Sequence, residues 1–330
     1  MRLTPPGPIY SMGSMEEDYP RTVLELEERF STEDACRDYL LRLRWSDGFV
    51  CPHCGAKGGW SATRGRIVCR ACRHQASVTA GTILQDTHKP LRLWFRAIWH
   101  VTNQKNGASA VNVQQILGLG SYATAWTWLH KIRRAMVRPG RDRLRGRVEV
   151  DETFISGEEP KGRQRKLGGK ALVVIAAEED GKGIGRIRMG RIADRSRVCL
   201  HGFIQRAVEP GSLIHTDGLP AYDGLEALAY KHEASVLLGQ DKDAATRLLP
   251  RVHRVAMLVK RWLLGTHQGA VANEYLDYYL DEFTFRFNRR TSRSRGKLFY
   301  RLLQQAVQVD PVPYQTLIDE ANAKLANHNP

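Results

Sequence analysis

Two tight pairs of cysteines constrain this chain more than any other feature. Cys51-x2-Cys54 is followed, after fourteen residues, by Cys69-x2-Cys72. Each C-x2-C pair brings two thiolates to a common point, and two such knuckles can converge on one tetrahedral ion. Zn2+ favours four soft sulfur ligands in a closed shell. A segment this short buries too little apolar surface to fold unaided, so the ion would supply the folding free energy. The rival reading is two unrelated pairs of buried thiols, and iron is the minor alternative to zinc. His53 and His74 are spare donors, although four cysteines complete the shell. Cys36 and Cys199 read as ordinary buried thiols.

The charge balance names the kind of partner. Fifty Lys and Arg against 35 Asp and Glu leave a formal charge of +15 over 330 residues. That excess points to a polyanion, most economically nucleic acid. A hydrophobic fraction of 42% excludes disorder throughout. No run of about 18 apolar residues is present, so neither a spanning helix nor a membrane partner is expected. The first twenty residues lack the apolar core of a secretion signal. With the cysteine usage this suggests a reducing, cytoplasmic setting.

Patterning divides the chain into five stretches. Residues 1–30 are expected to be flexible, and 31–80 hold a helix plus the cysteine knuckles. In that helix Ser31 reads as the N-cap, with Ala35, Tyr39, Leu40 and Leu43 along one face. Residues 81–140 read as helical. There Val113, Ile116 and Leu117 precede a Gly118-Leu119-Gly120 break, and a second helix carries Tyr122, Trp126, Leu129, Ile132 and Met136 on one face. Lys131, Arg133, Arg134 and Arg138 on that second helix suit a DNA-binding helix-turn-helix. A plain helical hairpin is the other reading.

From 141 to 291 the pattern becomes mixed α/β. RVEVDETFIS (147–156), ALVVIAA (171–177) and GRIRMGRIAD (185–194) read as strands, the second buried on both faces. A helix near 196–208, a strand Ser212–Thr216 and a weak strand Ala234–Leu238 follow. Pro250 suits the first position of a helix running toward Gly265, and a last helix covers 271–288. Residues 292–330 read as a basic C-terminal extension. The order describes a mixed sheet with helices packed on it.

Two aspartates stand at strand ends, Asp151 within VEVDE and Asp217 within IHTDG. Carboxylates so placed can meet over a sheet and hold divalent cations, with hard Mg2+ preferring oxygen ligands. Taken alone, an Asp before Gly is as well explained as a turn residue.

The zinc-binding pattern, the helix pair, VDETFISG, the strand-terminal TDG, KRWLLGTH (260–267) and the 280–290 helix together resemble one family. They look like the bacterial insertion-sequence transposases that join an N-terminal zinc ribbon to a ribonuclease-H-like catalytic domain of the Asp-Asp-Glu type. The resemblance spans roughly residues 30–300. It implies Asp151 and Asp217 as the first two catalytic residues, two Mg2+ ions, double-stranded DNA as substrate and a homo-oligomer on the DNA. It implies hydrolysis of a phosphodiester at an element end and transfer of the freed strand. A non-catalytic DNA-binding regulator and a structure-selective nuclease of the same fold are the alternatives.

At the third acidic position the chain departs from the pattern. Thirty-five residues separate Asp217 from His253, where the resemblance expects Glu, and Lys260 lies seven beyond. Seven residues advance a helix by nearly two full turns, so both side chains share a face. A neutral imidazole can ligate a divalent metal, although it prefers softer ions than Mg2+. His253 is therefore the expected third ligand, with Glu152 and Glu282 as acidic alternatives. Lys260 is expected to reach a phosphate, as are Arg133, Arg134, Arg289 and Arg290. Lys161, Arg163, Arg165, Lys166 and Lys170 form a further basic run between the first two strands.

Overall fold

The computed structural model describes residues 17–138, 140–156, 170–235, 247–269 and 271–318. It comprises two units, residues 1–139 with 292–316, and residues 140–291 with 317–330. The basic run 161–166, most of the expected strand 234–238 and the first sixteen residues lie outside the described residues.

The first unit opens with α1 (Val23–Arg29), inside the stretch expected to be flexible. Thr22 caps it and Leu26 is buried, so two local signals were passed over there. α2 (Glu33–Arg44) is capped by Thr32, one residue beyond the expected Ser31, through Oγ1 accepting from the Ala35 N–H at 3.2 Å. A three-stranded antiparallel sheet follows, β1 (Gly59–Ala62), β2 (Arg66–Cys69) and β3 (Gln75–Ser77). Three helices come next: α3 (Leu91–Asn103), α4 (Ala110–Leu117) and α5 (Tyr122–Ala135). Gly118 takes the left-handed conformation that closes α4, and Ser121 caps α5, so the glycine break is a built turn.

The C-terminal run does not form a separate extension. Residues 295–306 make a helix whose Phe299 meets Phe30, Phe95 and Trp99 of the same unit, with ring centroids 5.6–6.1 Å apart. A basic surface stripe hid an apolar face comprising Leu298, Phe299, Leu302 and Leu303, all buried.

The second unit is a five-stranded sheet. Its strands are β4 (Arg147–Ser156), β5 (Lys170–Asp180), β6 (Gly183–Arg191), β7 (Leu213–Thr216) and β8 (Lys231–Ala234). They lie in the order β6-β5-β4-β7-β8. β4 to β6 form an antiparallel meander, whereas β7 and β8 run parallel to β4. This is the mixed, ribonuclease-H-like sheet expected. The last strand falls a few residues earlier than expected, in KHEA.

Among the described residues three helices cover the sheet: α6 (Arg197–Ala207), α7 (Pro250–His267) and α8 (Leu276–Phe287). One apolar cluster joins α6 to Val148, Val150, Val174, Ala176 and Ile214. The other joins α7 and α8 to Ile155, Val173, Ile175 and Ala177. β5 contributes to both, which is why its sequence is apolar without alternation. The α7 helix runs past Gly265 to His267, and α8 starts at Leu276 after a short 3-10 turn, later than the expected 271. No helix among the described residues is long and apolar enough to cross a membrane.

Candidate functional site

The two knuckles repeat one backbone motif. In each, the residue four after the first cysteine is left-handed and returns its N–H to that cysteine's carbonyl. These are Gly55 to Cys51 at 2.9 Å and Arg73 to Cys69 at 3.1 Å. Arg73 is a non-glycine residue at φ 61°, and its guanidinium lies 5.0 Å from the Trp60 ring. Pairing of β1 with β2 sets Gly59 against Cys69, so the second knuckle starts where the first returns.

The sulfurs that result fit a tetrahedral ion. Cys51 and Cys72 are 3.7 Å apart, as are Cys54 and Cys69, and all four sulfurs lie within 4.8 Å of one another. A tetrahedron with Zn–S bonds of about 2.3 Å has edges of about 3.8 Å. Without a cation the thiols compete. The backbone N–H of Cys72 draws Cys69 down to about 7; although the N–H of His74 pulls Cys72 down too, neighbouring sulfurs push it up to about 12. One divalent ion would let all four ionise. Cys36 is a buried thiol pushed up to about 12 by burial, as read, while Cys199 is only half-buried.

The acidic residues are gathered by strand register. β4 and β7 pair as Arg147 with Leu213, Val148 with Ile214 and Glu149 with His215. Continuing that offset sets Asp151 beside Asp217, on strands about 4.8 Å apart. Alternation gives both the same face. Val148, Val150 and Ile214 turn toward α6, so Glu149, Asp151, Thr153, His215 and Asp217 turn toward α7.

On α7, Val252, Val255, Val259 and Leu263 are buried, which aims His253 and Lys260 at the exposed end of that face. His253 Nε2 lies 3.4 Å from Asp151 Oδ2, and Lys260 Nζ donates to Thr153 Oγ1 at 2.7 Å. The seven-residue helical spacing thus meets a two-residue strand spacing.

The electrostatics are those of a site short of positive charge. Burial pushes the Asp151 carboxyl up to about 7, with help from Glu152 and Asp217. Among the described residues neither Asp151 nor Asp217 forms an ion pair with Lys or Arg. Burial holds His253 below its ordinary value, with Glu149 opposing and Lys260 assisting, so the imidazole is neutral near pH 7. Asp217 also serves as a turn residue, its Oδ1 accepting from the Leu219 N–H at 3.1 Å. The other carboxylate oxygen is not engaged by that bond.

These donors suit a hard divalent cation, two carboxylates and one borderline nitrogen. Yet the set is open. Among the described residues, the groups of three or more ligand atoms all within 4.8 Å of one another are the four cysteines and Glu149, Glu179 and His215. Asp151, Asp217 and His253 do not close into such a group, although His253 and Asp151 lie 3.4 Å apart. A cleft of about 930 Å3 in this unit, lined in part by Asp142, Glu178 and Arg186, contains none of these three.

The remaining expected residues separate. Glu152 faces the other side of the sheet, 4% exposed, with Tyr222 Oη donating to it at 2.9 Å and Arg195 Nε at 2.9 Å. Glu282 is 1% exposed and pairs with Arg286 at 2.8 Å. Arg133 corrects the reading of α5: it is 1% exposed, because it lies four residues beyond buried Leu129 on the inward face. Arg134 is half-buried. Arg290 gives its guanidinium to the carbonyls of Ile184, Gly185 and Phe287, and Arg289 lies 4.0 Å from the Phe285 ring. Sequence reading missed Glu149, Thr153, Arg195 and Tyr222. The signal for Glu149 and Thr153 was their even spacing from Asp151 on one strand.

Comparison with known proteins places both parts. Residues 143–288 match the ISXO2-like transposase domain, and residues 31–75 match the transposase zinc-ribbon domain. A protein described as belonging to transposable element ISH50 of Halobacterium salinarum is 26% identical over 288 residues, covering 81% of this chain and 94% of that protein. Among solved structures, a simian T-cell lymphotropic virus intasome bound to a PP2A regulatory subunit matches with TM-score 0.31 and 16% identity, covering 61% of this chain and 72% of that one. A pre-cleavage Mos1 transpososome matches with TM-score 0.25 and 11% identity, covering 74% and 82%. Scores this low do not define a shared fold.

Proposed function

Since the chain belongs to the insertion-sequence transposases that join an N-terminal zinc ribbon to a domain of the Asp-Asp-Glu type, we propose that it cuts and rejoins DNA at the ends of its element, using Asp151, Asp217 and His253. The observation that supports this reading is the β4–β7 register, whose continuation would set Asp151 beside Asp217, with His253 3.4 Å from Asp151.

Asp151, Asp217 and His253 would hold magnesium, with water and substrate phosphate completing the shell. Bound there, the metal supplies Lewis-acid stabilisation of the phosphate and activation of the attacking hydroxyl. Asp151, raised by burial to about 7, would bind a cation as the carboxylate, so its binding would compete with the proton. His253, neutral and 3.4 Å away, accepts a hydrogen bond from the protonated carboxyl or offers its own lone pair. Lys260 swings from Thr153 to a phosphate near the cut, as a point charge. No covalent protein–DNA bond is needed, so no Ser or Tyr nucleophile is sought.

The ribbon and the α4–α5 pair would recognise the element end. Between Gly48 and Gln85 there is not one Asp or Glu, while Lys57, Arg66, Arg70 and Arg73 are present, so the ribbon presents cations to phosphates without acidic competition. Because two ends must be joined, a dimer or larger assembly on DNA follows from the reading. The test is nicking and strand joining of end-containing duplex with Mg2+ or Mn2+. Activity lost in Asp151→Asn supports it; tight binding with no nicking by the wild type favours a regulator, and cutting without joining or end preference favours a nuclease.

A further inference from the structure

Glu149 is a wholly buried carboxylate that the reaction does not use. Its bonds are to the start of α7. That helix has a weak natural beginning: its N-cap Leu249 offers no side-chain bond, and Pro250 at the first position has no N–H. The next two amides, Arg251 and Val252, donate to Glu149 Oε2 at 2.7 and 2.9 Å. Glu149 Oε1 receives Arg251 Nη1 at 2.8 Å. Arg251 continues to the carbonyls of Gly181 at 2.7 Å and Gly183 at 2.9 Å, at the turn between β5 and β6. The next amide, His253, makes the first bond within the helix, to Leu249. One carboxylate borne on a strand thus completes the helix terminus.

We propose that Glu149 is a positioning residue: it clamps the first turn of α7 to β4 and thereby sets His253 against Asp151. The proposal rests on the reading of Asp151, Asp217 and His253 as the reacting site. Glu149 stands two residues before Asp151 on the same strand face, and Val252 adjoins His253 in the chain. A slip of α7 by one residue would turn His253 by about 100° away from Asp151. The carboxylate also lies with Glu179 and His215 in a cluster of ligand-type atoms. That cluster is neutralised within the protein: Arg251 pairs with Glu149 and Glu179, Arg147 pairs with Glu179, and His215 Nε2 bonds Ser235 Oγ at 2.8 Å. Its groups brace the clamp.

The experiment compares full-length wild type, Glu149→Gln and Glu149→Ala. Amide hydrogen exchange at Arg251 and Val252 should quicken roughly tenfold in the Ala variant, while Val259 and Leu263 stay protected. In nicking assays at a temperature where all three are folded, the Mg2+ concentration for half-maximal rate should rise by roughly 10–100-fold in Glu149→Gln. DNA affinity and zinc content should hold within about twofold, the ribbon being elsewhere. A merely structural role would lower the melting temperature without moving the magnesium requirement. An unchanged requirement and rate in folded Glu149→Gln overturns the clamp while leaving the transposase reading intact. Should wild type not nick at all, that reading falls by itself, and the exchange data decide: unaltered protection of the two amides overturns the clamp.

Discussion

The two centres of this protein are built in opposite ways. The sulfur centre takes all its donors from Cys51 to Cys72, gathers them within 4.8 Å and closes the shell. The proposed acidic centre would take its donors from positions 151, 217 and 253, and its set is open. In the first, backbone turns four residues long place the ligands. In the second, strand register and a helix bonded to Glu149 would do so. A closed soft shell suits an ion that holds a fold, and an open hard set suits one that must admit a substrate.

The sharpest way to break this contrast is to remove each metal. Cys54→Ser should abolish binding of the roughly one zinc expected per chain and unfold the ribbon, because structural zinc in small domains supplies on the order of 10 kcal/mol. Elemental analysis and amide spectra read this. The 147–191 meander should remain folded, its core being apolar and separate. A ribbon that stays folded and metal-free would show that the sulfurs are not what builds it.

The converse changes are Asp151→Asn and Asp217→Asn. Each should leave zinc and fold untouched yet lower metal-dependent cleavage by roughly 10³-fold, several kcal/mol of lost charge stabilisation. Single-turnover nicking at saturating DNA is the measurement. A small loss in either variant would remove that aspartate from the reacting site.

Legibility followed the same divide. Cysteine spacing alone exposed the ribbon, since its ligands are fixed by turns that begin and end within a few residues. Strand β5 was legible because both faces are covered, and Pro250 because its missing N–H suits a first helical position. The acidic centre was legible only as three separate candidates. Nothing local says that Asp151 and Asp217 share a register, or that β4 carries Glu149 and Thr153 on the face of Asp151. Arg133 misled for a similar reason: a positive charge marks exposure on average, and only packing around Leu129 shows this one turned inward. The C-terminal helix misled because Arg295, Lys297 and Arg301 drew the reading to a charged surface, while Leu298, Phe299, Leu302 and Leu303 seat it.

Acidity separates the two centres again. Asp151 has an ordinary value of 3.8 and is raised to about 7 in the fold. Its carboxyl therefore favours folding while protonated. That contribution is complete below about 3.8 and is lost as pH climbs through about 7. The metal-free second unit should thus be less stable at pH 8 than at pH 5 on this account. Asp151→Asn should recover up to the order of 4 kcal/mol at pH 8 and almost nothing at pH 4. Urea unfolding of that unit measures it, and millimolar Mg2+ should reverse the order at pH 8. Zinc works with the opposite sign, its hold on the ribbon weakening as acid protonates the thiolates. A variant no more stable than wild type at pH 8 would mean that Asp151 carries no such strain.

The smallest effect tests the least regular member of the acidic set. His253→Ala removes a borderline donor from a site that keeps two carboxylates, so cleavage should fall by roughly 10- to 100-fold, less than for either aspartate. His253→Glu should preserve or raise the rate with Mg2+, because a carboxylate at that position is the harder ligand. With Mn2+, which accepts imidazole more readily, wild type should close the gap. The ratio of Mg2+ to Mn2+ rates in the two proteins therefore reports the donor atom itself. If alanine leaves both rates unchanged, His253 only lies beside Asp151 at 3.4 Å, and the centre works with two protein ligands.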